Sequence, residues 1–399
     1  MHLTKTLLAA CLGWTLVTAI PSTAKAQSKQ RPVSPASENL WLSSDLDRNI
    51  DAIFASFARN DSPGYVLGLI KDGKLVFAKG YGEANLDDHI PLNPQSAFHL
   101  ASVSKQFTAA AIALLILDGK LSLEDSVSKY IPETNKYGDG LRIKHLIYMT
   151  SGLHEYLTVG RQSGQPWMGF YYFTRDEAVS AALKPNTLEF APGTRWAYSN
   201  TNYMILTKIV EQVSGLTFST FMRERIFQPL EMQHSDINDD VTLVVPNRAT
   251  GYAPRSDPRV VKELADVGVS IRPGSGWVRL VRTSPHFGGS GVFSTLQDLA
   301  KWDANWYTHQ LGGPAFTDLM NKRTRFQHDK DNDAFGLVDR TLYGKQMLDY
   351  SGGDTDTSTY MARFPAEHFT IICLSNMPLG DAEGKSHEVL ELLHKAGRL

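Results

Sequence analysis

The sequence predicts an α/β (α+β) protein: one antiparallel sheet built from both ends of the chain, flanked by helices, with a helical subdomain inserted at about residues 120–290. Three observations predict it. Strand patterns cluster at the two ends, the middle is helical and rich in loops, and one run near residue 110 is apolar almost all round. In order, Gly64 to Ile70 and Lys74 to Gly80 flank Lys71-Asp72-Gly73 and read as a β-hairpin. Gln106 to Leu117 is built from helix formers and stops at Asp118-Gly119, so it reads as a buried central helix. Thr201 to Val213 carries Ile205, Ile209 and Val213 with Leu206 and Val210 on one face and Gly215 as a stop. Ser358 to Phe364 and Phe369 to Leu374 return to strands, and Glu383 to Lys395 reads as a closing helix.

Composition narrows the function classes. The 399 residues are 42% hydrophobic and 21% charged, which fits a folded globular protein with a large core. With 40 basic and 42 acidic residues and no basic run, nucleic acid is not an expected partner. The only cysteines are Cys11 and Cys373; Cys373 lies in an apolar strand-like run and reads as a buried small hydrophobe. There is no His-Glu-x-x-His motif, and His387 and His394 sit on an amphipathic helix, so neither a metal nor a cofactor is expected.

The first 26 residues read as a secretory signal, with Lys5 as the positive start, Leu7 to Ile20 as the apolar stretch and Ala24-Lys25-Ala26 as the cleavage site. Cleavage after Ala26, a polar linker over 27–44, a single hydrolase domain over 45–399 and a periplasmic or secreted location are expected. The apolar stretch is too short for a stable membrane span, which needs about 20 residues. Lipidation at Cys11 is the alternative, but few apolar residues precede it.

Ser102-Val103-Ser104-Lys105 sets a hydroxyl and an amine three residues apart at the start of the buried helix, on one face and within reach of each other. A helix N-terminus and apolar surroundings disfavour an ammonium, so Lys105 moves toward neutrality and can accept the proton of Ser102. The spacing alone is not specific, since it arises about once or twice by chance in a chain of this size. Ser22 to Lys25 falls in the leader, and Ser126 to Lys129 falls in a turn-rich stretch with no buried helix behind it. Tyr198 and Asn200 lie in a loop just before a helix, free to enter a cleft, although Asn200 also suits an N-cap. Tyr350-Ser351-Gly352-Gly353 reads as a turn whose glycines allow a backbone N–H to approach a substrate carbonyl.

Taken in this order, Ser-x-x-Lys, Tyr-x-Asn and x-Ser-Gly resemble the serine β-lactamase and penicillin-binding protein family, in its class C branch with D-aminopeptidases, D,D-peptidases and esterases. The likeness extends over roughly residues 45–395, through the runs 143–153, 192–203, 221–232 and 290–300. It implies the β-lactamase/transpeptidase-like fold and gives Ser102, Lys105 and Tyr198 catalytic roles, with either Lys105 or Tyr198 as base. It gives Asn200, Tyr350, Ser351, Gly352 and Gly353 to substrate binding, and the backbone N–H groups of Ser102 and Gly353 to an oxyanion hole.

One departure bears on substrate: Tyr350 stands where the family usually carries Lys or His, which removes a cation suited to a substrate carboxylate. Arg195 and Arg282 are candidate replacements that no sequence argument places in the cleft. The expected function is therefore an exported hydrolase of small-molecule esters or peptide amides. A β-lactamase or D,D-carboxypeptidase is the alternative within the class, and a catalytically inactive cell-wall-peptide-binding protein is the alternative outside it. A glycine-rich segment, Val267 to Val281, is expected to border the cleft.

Overall fold

A strand that is apolar at every position needs cover on both faces, and the two layers that provide it set the architecture. The computed structural model describes residues 41–164, 171–285, 287–324 and 332–399; the expected leader, Cys11 and the Ser22 copy of the tetrapeptide lie outside them. The chain begins with α1 (Ser44–Phe54), the hairpin β1 (Tyr65–Lys71) and β2 (Lys74–Tyr81), short strands β3 (Glu83–Asn85), β4 (Ile90–Pro91) and β5 (Phe98–His99), and helix α2 (Lys105–Leu117). Helices α3 (Ile143–Ile147), α4 (Tyr156–Gln162), α5 (Arg175–Ala182), α6 (Asn200–Ser214) and α7 (Phe218–Met222) follow. Next come β6 (Asp236–Ile237), β7 (Gly251–Pro254), α8 (Pro258–Asp266), β8 (Trp277–Leu280), β9 (Val292–Ser294), α9 (Leu296–Thr308) and α10 (Gly313–Met320). The C-terminal part is β10 (Asn332–Asp333), β11 (Val338–Leu342), β12 (Lys345–Asp354), β13 (Thr357–Phe364), β14 (Phe369–Ser375) and α11 (Ala382–Lys395).

The two ends of the chain meet in one seven-stranded antiparallel sheet of order β10-β11-β12-β13-β14-β1-β2, as expected. The seam is the ladder between β1 and β14, which runs from Tyr65 opposite Ser375 to Lys71 opposite Phe369. Alternate residues of these strands enter different cores. Val66, Ile70, Ile372 and Leu374 join the large core shared with α2, α6 and α9. Tyr65, Leu67, Leu69, Ile371 and Cys373 join a second core under α1 and α11. Burial pushes the Cys373 thiol up to about 12, as befits an inert core residue. Trp41 stacks on Phe369, so the packed domain begins ahead of α1.

The central helix α2 is buried at every position from Lys105 to Leu115. Its polar surface is the first turn, where Lys105 and Gln106 sit with no exposed area. Helix α6 starts at an N-cap, Ser199, whose side chain accepts from the Asn202 N–H, and ends on Gly215 in the left-handed region. The cap is therefore Ser199 rather than Asn200, which leaves the Asn200 side chain for other work. The tetrad Tyr350 to Gly353 also differs from its expected form: it is a stretch of β12, with Tyr350 opposite Met361 and Gly353 opposite Ser358.

One buried ion pair ties the helical layer to the sheet. Arg363 Nε on β13 donates to Asp303 Oδ1 on α9 at 2.6 Å, Thr370 Oγ1 on β14 donates to the same oxygen at 2.7 Å, and the guanidinium lies over Trp306. Removing one partner leaves the other charge buried and uncompensated, which costs about 3–5 kcal/mol. Asp303→Ala should lower the unfolding free energy by that order in urea titration; a loss below about 1 kcal/mol would show the pair to be dispensable.

Candidate active site

The turn Ala101–Ser104 delivers Ser102 to the surface at the start of α2. Ala101 holds a positive φ of 46° with no exposed surface, a conformation a non-glycine residue adopts only when its surroundings impose it. The restraints are visible on both sides: Leu100 N–H donates to Val292 O at 2.8 Å, and Thr359 Oγ1 donates to Leu100 O at 2.7 Å. Ser104 Oγ accepts from the Val292 N–H at 3.1 Å and pins β9 to the turn.

Lys105 Nζ is the centre of the site. It lies 3.0 Å from Ser102 Oγ, 2.6 Å from Tyr198 Oη, 2.8 Å from Asn200 Oδ1 and 2.6 Å from Gly289 O. Ser102 Oγ and Tyr198 Oη are themselves 2.6 Å apart. Burial lowers the Lys105 amine to about 7, against smaller upward pulls from Glu155 and Asp354. Burial also pushes the Tyr198 phenol well above its ordinary value, with the Ser102 hydrogen bond opposing. The Tyr198 ring is 41% exposed, but its hydroxyl end is enclosed by Ser102, Lys105 and Asn200, and that end governs its proton affinity.

A neutral amine has two hydrogens and one lone pair. Gly289 O and Asn200 Oδ1 can only accept, so together they use both hydrogens and leave the lone pair for a hydroxyl proton of Ser102 or Tyr198. The close approach of Gly289 needs its missing side chain, since a Cβ there would stand 2.8 Å from Asn200 Oδ1. Asn200 is oriented in turn by Glu155, whose Oε1 accepts from Asn200 Nδ2 at 3.1 Å. Sequence reasoning missed both Gly289 and Glu155. Glu155 follows the 143–153 run by two residues, and nothing in its neighbours marks it as a site residue.

Strand β12 passes beside Ser102. A Cβ on Gly352 would lie 2.5 Å from Thr359 Oγ1, 2.6 Å from Leu100 O and 2.9 Å from Ser102 N, so only glycine lets the strand run this close. Gly353 faces open space, Ser351 is exposed, and Tyr350 packs its ring against the large core. The ladder of β12 with β11 ends at Asp349 opposite Val338, whereas its ladder with β13 continues to Asp354.

Beyond Gly353 lies a buried charged cluster. His99 Nδ1 is 2.9 Å from Asp356 Oδ1, Arg248 is 3.4 Å from Asp356 Oδ2, and Arg282 Nε is 3.6 Å from Asp354 Oδ2. Burial opposes ionisation of Asp356, yet His99, Arg248 and Arg282 hold its carboxyl at about 2. Arg282 also donates to Ser290 Oγ at 3.1 Å, while Arg195 is exposed and lies over Phe190. The Val267–Val281 segment belongs to an excursion in which β7 and β8 pair and α8 packs on them. The second tetrapeptide is not assembled: Lys129 reaches Asp125, and Ser126 bonds Ser128.

Gly352→Ala forces a Cβ against backbone atoms that cannot swing aside, so it should destabilise the fold by about 1–3 kcal/mol in urea titration. Unchanged stability would mean that β12 does not need this approach to Ser102.

The Beta-lactamase family model matches residues 46–395. Among curated proteins, the chain is 27% identical over 326 residues to a D-aminopeptidase of Gluconobacter oxydans, covering 82% of this chain and 58% of that protein. It is 29% identical over 315 residues to penicillin-binding protein 4* of Bacillus subtilis, covering 76% of this chain and 66% of that one. It thus spans about three fifths to two thirds of the length of these relatives. Among solved structures, it is similar in fold to D-amino acid amidase from Ochrobactrum anthropi SV3, with a TM-score of 0.71, 19% identity, and coverage of 89% of this chain and 100% of that one. With a family model spanning nearly the whole described domain, this chain belongs to the Beta-lactamase family.

Proposed function

We propose that this chain is an exported serine hydrolase that cleaves amide or ester bonds through an acyl-Ser102 intermediate. The observation that carries the reading is the buried Lys105 amine, held at about 7 and 3.0 Å from Ser102 Oγ. As Ser102 Oγ attacks a substrate carbonyl, its proton passes to Lys105, directly or through the Tyr198 hydroxyl that touches both. Lys105 is the base in the resting site, because burial makes the Tyr198 phenolate costly at neutral pH. The carbonyl oxygen turns toward the backbone N–H groups of Ser102 and Gly353. Tyr198 returns the proton to the leaving amine or alcohol, and water then repeats the cycle on the acyl-serine.

The substrate class follows from Tyr350 and from the relatives. A tyrosine packed on the core offers no cation to a substrate carboxylate, which disfavours penicillins and free D-Ala-D-Ala ends relative to esters, amides and peptides read from the other side of the scissile bond. A D-aminopeptidase relative points to peptides with an N-terminal D-residue. The β-lactamase or D,D-carboxypeptidase reading rests on Arg282 standing in for the missing cation, but this guanidinium is buried against Asp354 and Ser290. A catalytically inactive binding protein has no need of the assembled amine and hydroxyls. Export rests on the leader; no helix among the described residues is long and apolar enough to cross a membrane.

A fluorophosphonate should label Ser102 in the purified protein, and Lys105→Ala should slow labelling by about a hundredfold or more. Labelling of Ser126, or of no serine in folded protein, would overturn the assignment. Protonation silences the base, so kcat/KM should fall as pH drops through about 7, where an unperturbed lysine would place the limb near pH 10. A limb below about pH 5 would assign the base to another group. A short-chain nitrophenyl ester and D-alanyl p-nitroanilide should be turned over faster than a chromogenic cephalosporin; the reverse order would favour the β-lactamase reading. Mature protein from the periplasm or medium should begin at Gln27.

A further inference from the structure

The Asn200 side chain has two ends of similar shape and opposite chemistry, and the site works only if the oxygen faces Lys105. An amide nitrogen turned toward the amine would present a donor to a donor, or would capture the lone pair meant for a hydroxyl. Glu155 removes the choice. Its Oε1 accepts from Asn200 Nδ2 at 3.1 Å, and its Oε2 accepts from Ser199 Oγ at 3.1 Å and from the Thr201 N–H at 3.2 Å. Both oxygens are thus used as acceptors, so the group facing Asn200 must be a donor. Among the described residues no Lys or Arg nitrogen lies within 4.0 Å of this carboxylate; neutral donors and the N-terminus of α6 hold it.

Resting on the acyl-serine reading above, we propose that Glu155 is a positioning residue: by fixing the Asn200 amide with its oxygen toward Lys105, it aims the lone pair of the lysine at the Ser102 and Tyr198 hydroxyls. Glu155 touches neither nucleophile nor base, so it acts through Asn200. Its charge has a second, opposing effect, since Glu155 and Asp354 both pull the Lys105 amine upward, while the Tyr198 and Tyr203 rings also face it. Removing the charge should therefore ease deprotonation of Lys105 while the amide loses its fixed orientation. A residue that merely capped α6 would slow the reaction through lost stability, and its loss would cost as much with the Asn200 amide absent as with it present.

The test is the rate constant for labelling of Ser102 by a fluorophosphonate as a function of pH, in the full mature chain. Glu155→Gln should slow labelling on the plateau by about tenfold to a hundredfold, the value of a charge-assisted hydrogen bond, and shift the acid limb to lower pH. Asn200→Ala removes the amide that Glu155 orients without adding a charge beside Lys105, and should also be slow. In the Asn200→Ala background Glu155→Gln has no amide left to orient and should slow the plateau by less than about twofold further, and Glu155→Asp, which keeps both acceptor oxygens, should retain more of the wild-type rate than Glu155→Gln, a comparison that remains readable should Glu155→Gln alone fail to fold. Wild-type labelling of Ser102 with an unmoved limb and plateau in Glu155→Gln, or an undiminished further loss when Glu155→Gln is added to Asn200→Ala, would overturn the positioning role while leaving the acyl-serine reading standing. No labelling of the wild-type protein would remove both.

Discussion

An amine with no exposed surface must either pair with a carboxylate or give up its proton, and the site is organised so that Lys105 does the second. Its acceptors, Gly289 O and Asn200 Oδ1, are neutral, and the Glu155 carboxylate meets it only through Asn200. A carboxylate in direct contact would have held the ammonium charged. The rest of the fold supplies the burial: α2 is enclosed along its length, and α6 closes over its first turn with Tyr198 and Asn200.

The placement of Ser102 depends on a second constraint, the strain at Ala101. A positive φ at a non-glycine residue costs on the order of 1–3 kcal/mol and persists only where its neighbours over-determine it. Here β9 holds Leu100 and Ser104 from one side, and Thr359 on β13 holds Leu100 from the other. The same bonds bring Gly352 against the Ser102 amide, so the sheet and the nucleophile are set relative to each other by backbone contacts rather than by flexible side chains.

The end of β12 joins this rigid frame to the charged cluster of His99, Arg248, Arg282, Asp354 and Asp356. Gly291 N–H donates to His99 Nε2 at 3.2 Å, two residues beyond the carbonyl that receives Lys105, so the cluster and the site share one loop. This shared loop explains why the charge missing at Tyr350 is not simply replaced by Arg282: the guanidinium is committed to Asp354 and Ser290.

The sequence by itself determined the fold class, because strands at both ends and an apolar helix formed by Gln106 to Leu117 leave few ways to bury everything. It also singled out Ser102, Lys105, Tyr198 and Asn200, through the joint order of three motifs rather than through any one local pattern, since each pattern alone also arises without function. What it could not carry was any relation between distant segments. That Tyr350 to Gly353 is strand rather than turn, and that Ser102 rather than Ser126 meets a buried amine, both depend on tertiary partners. Glu155 and Gly289 were invisible for the same reason. Their importance lies in an amide oxygen and a carbonyl placed around one nitrogen by loops 45 and 184 residues away in the chain from their partners, and only packing decides which polar atoms converge there.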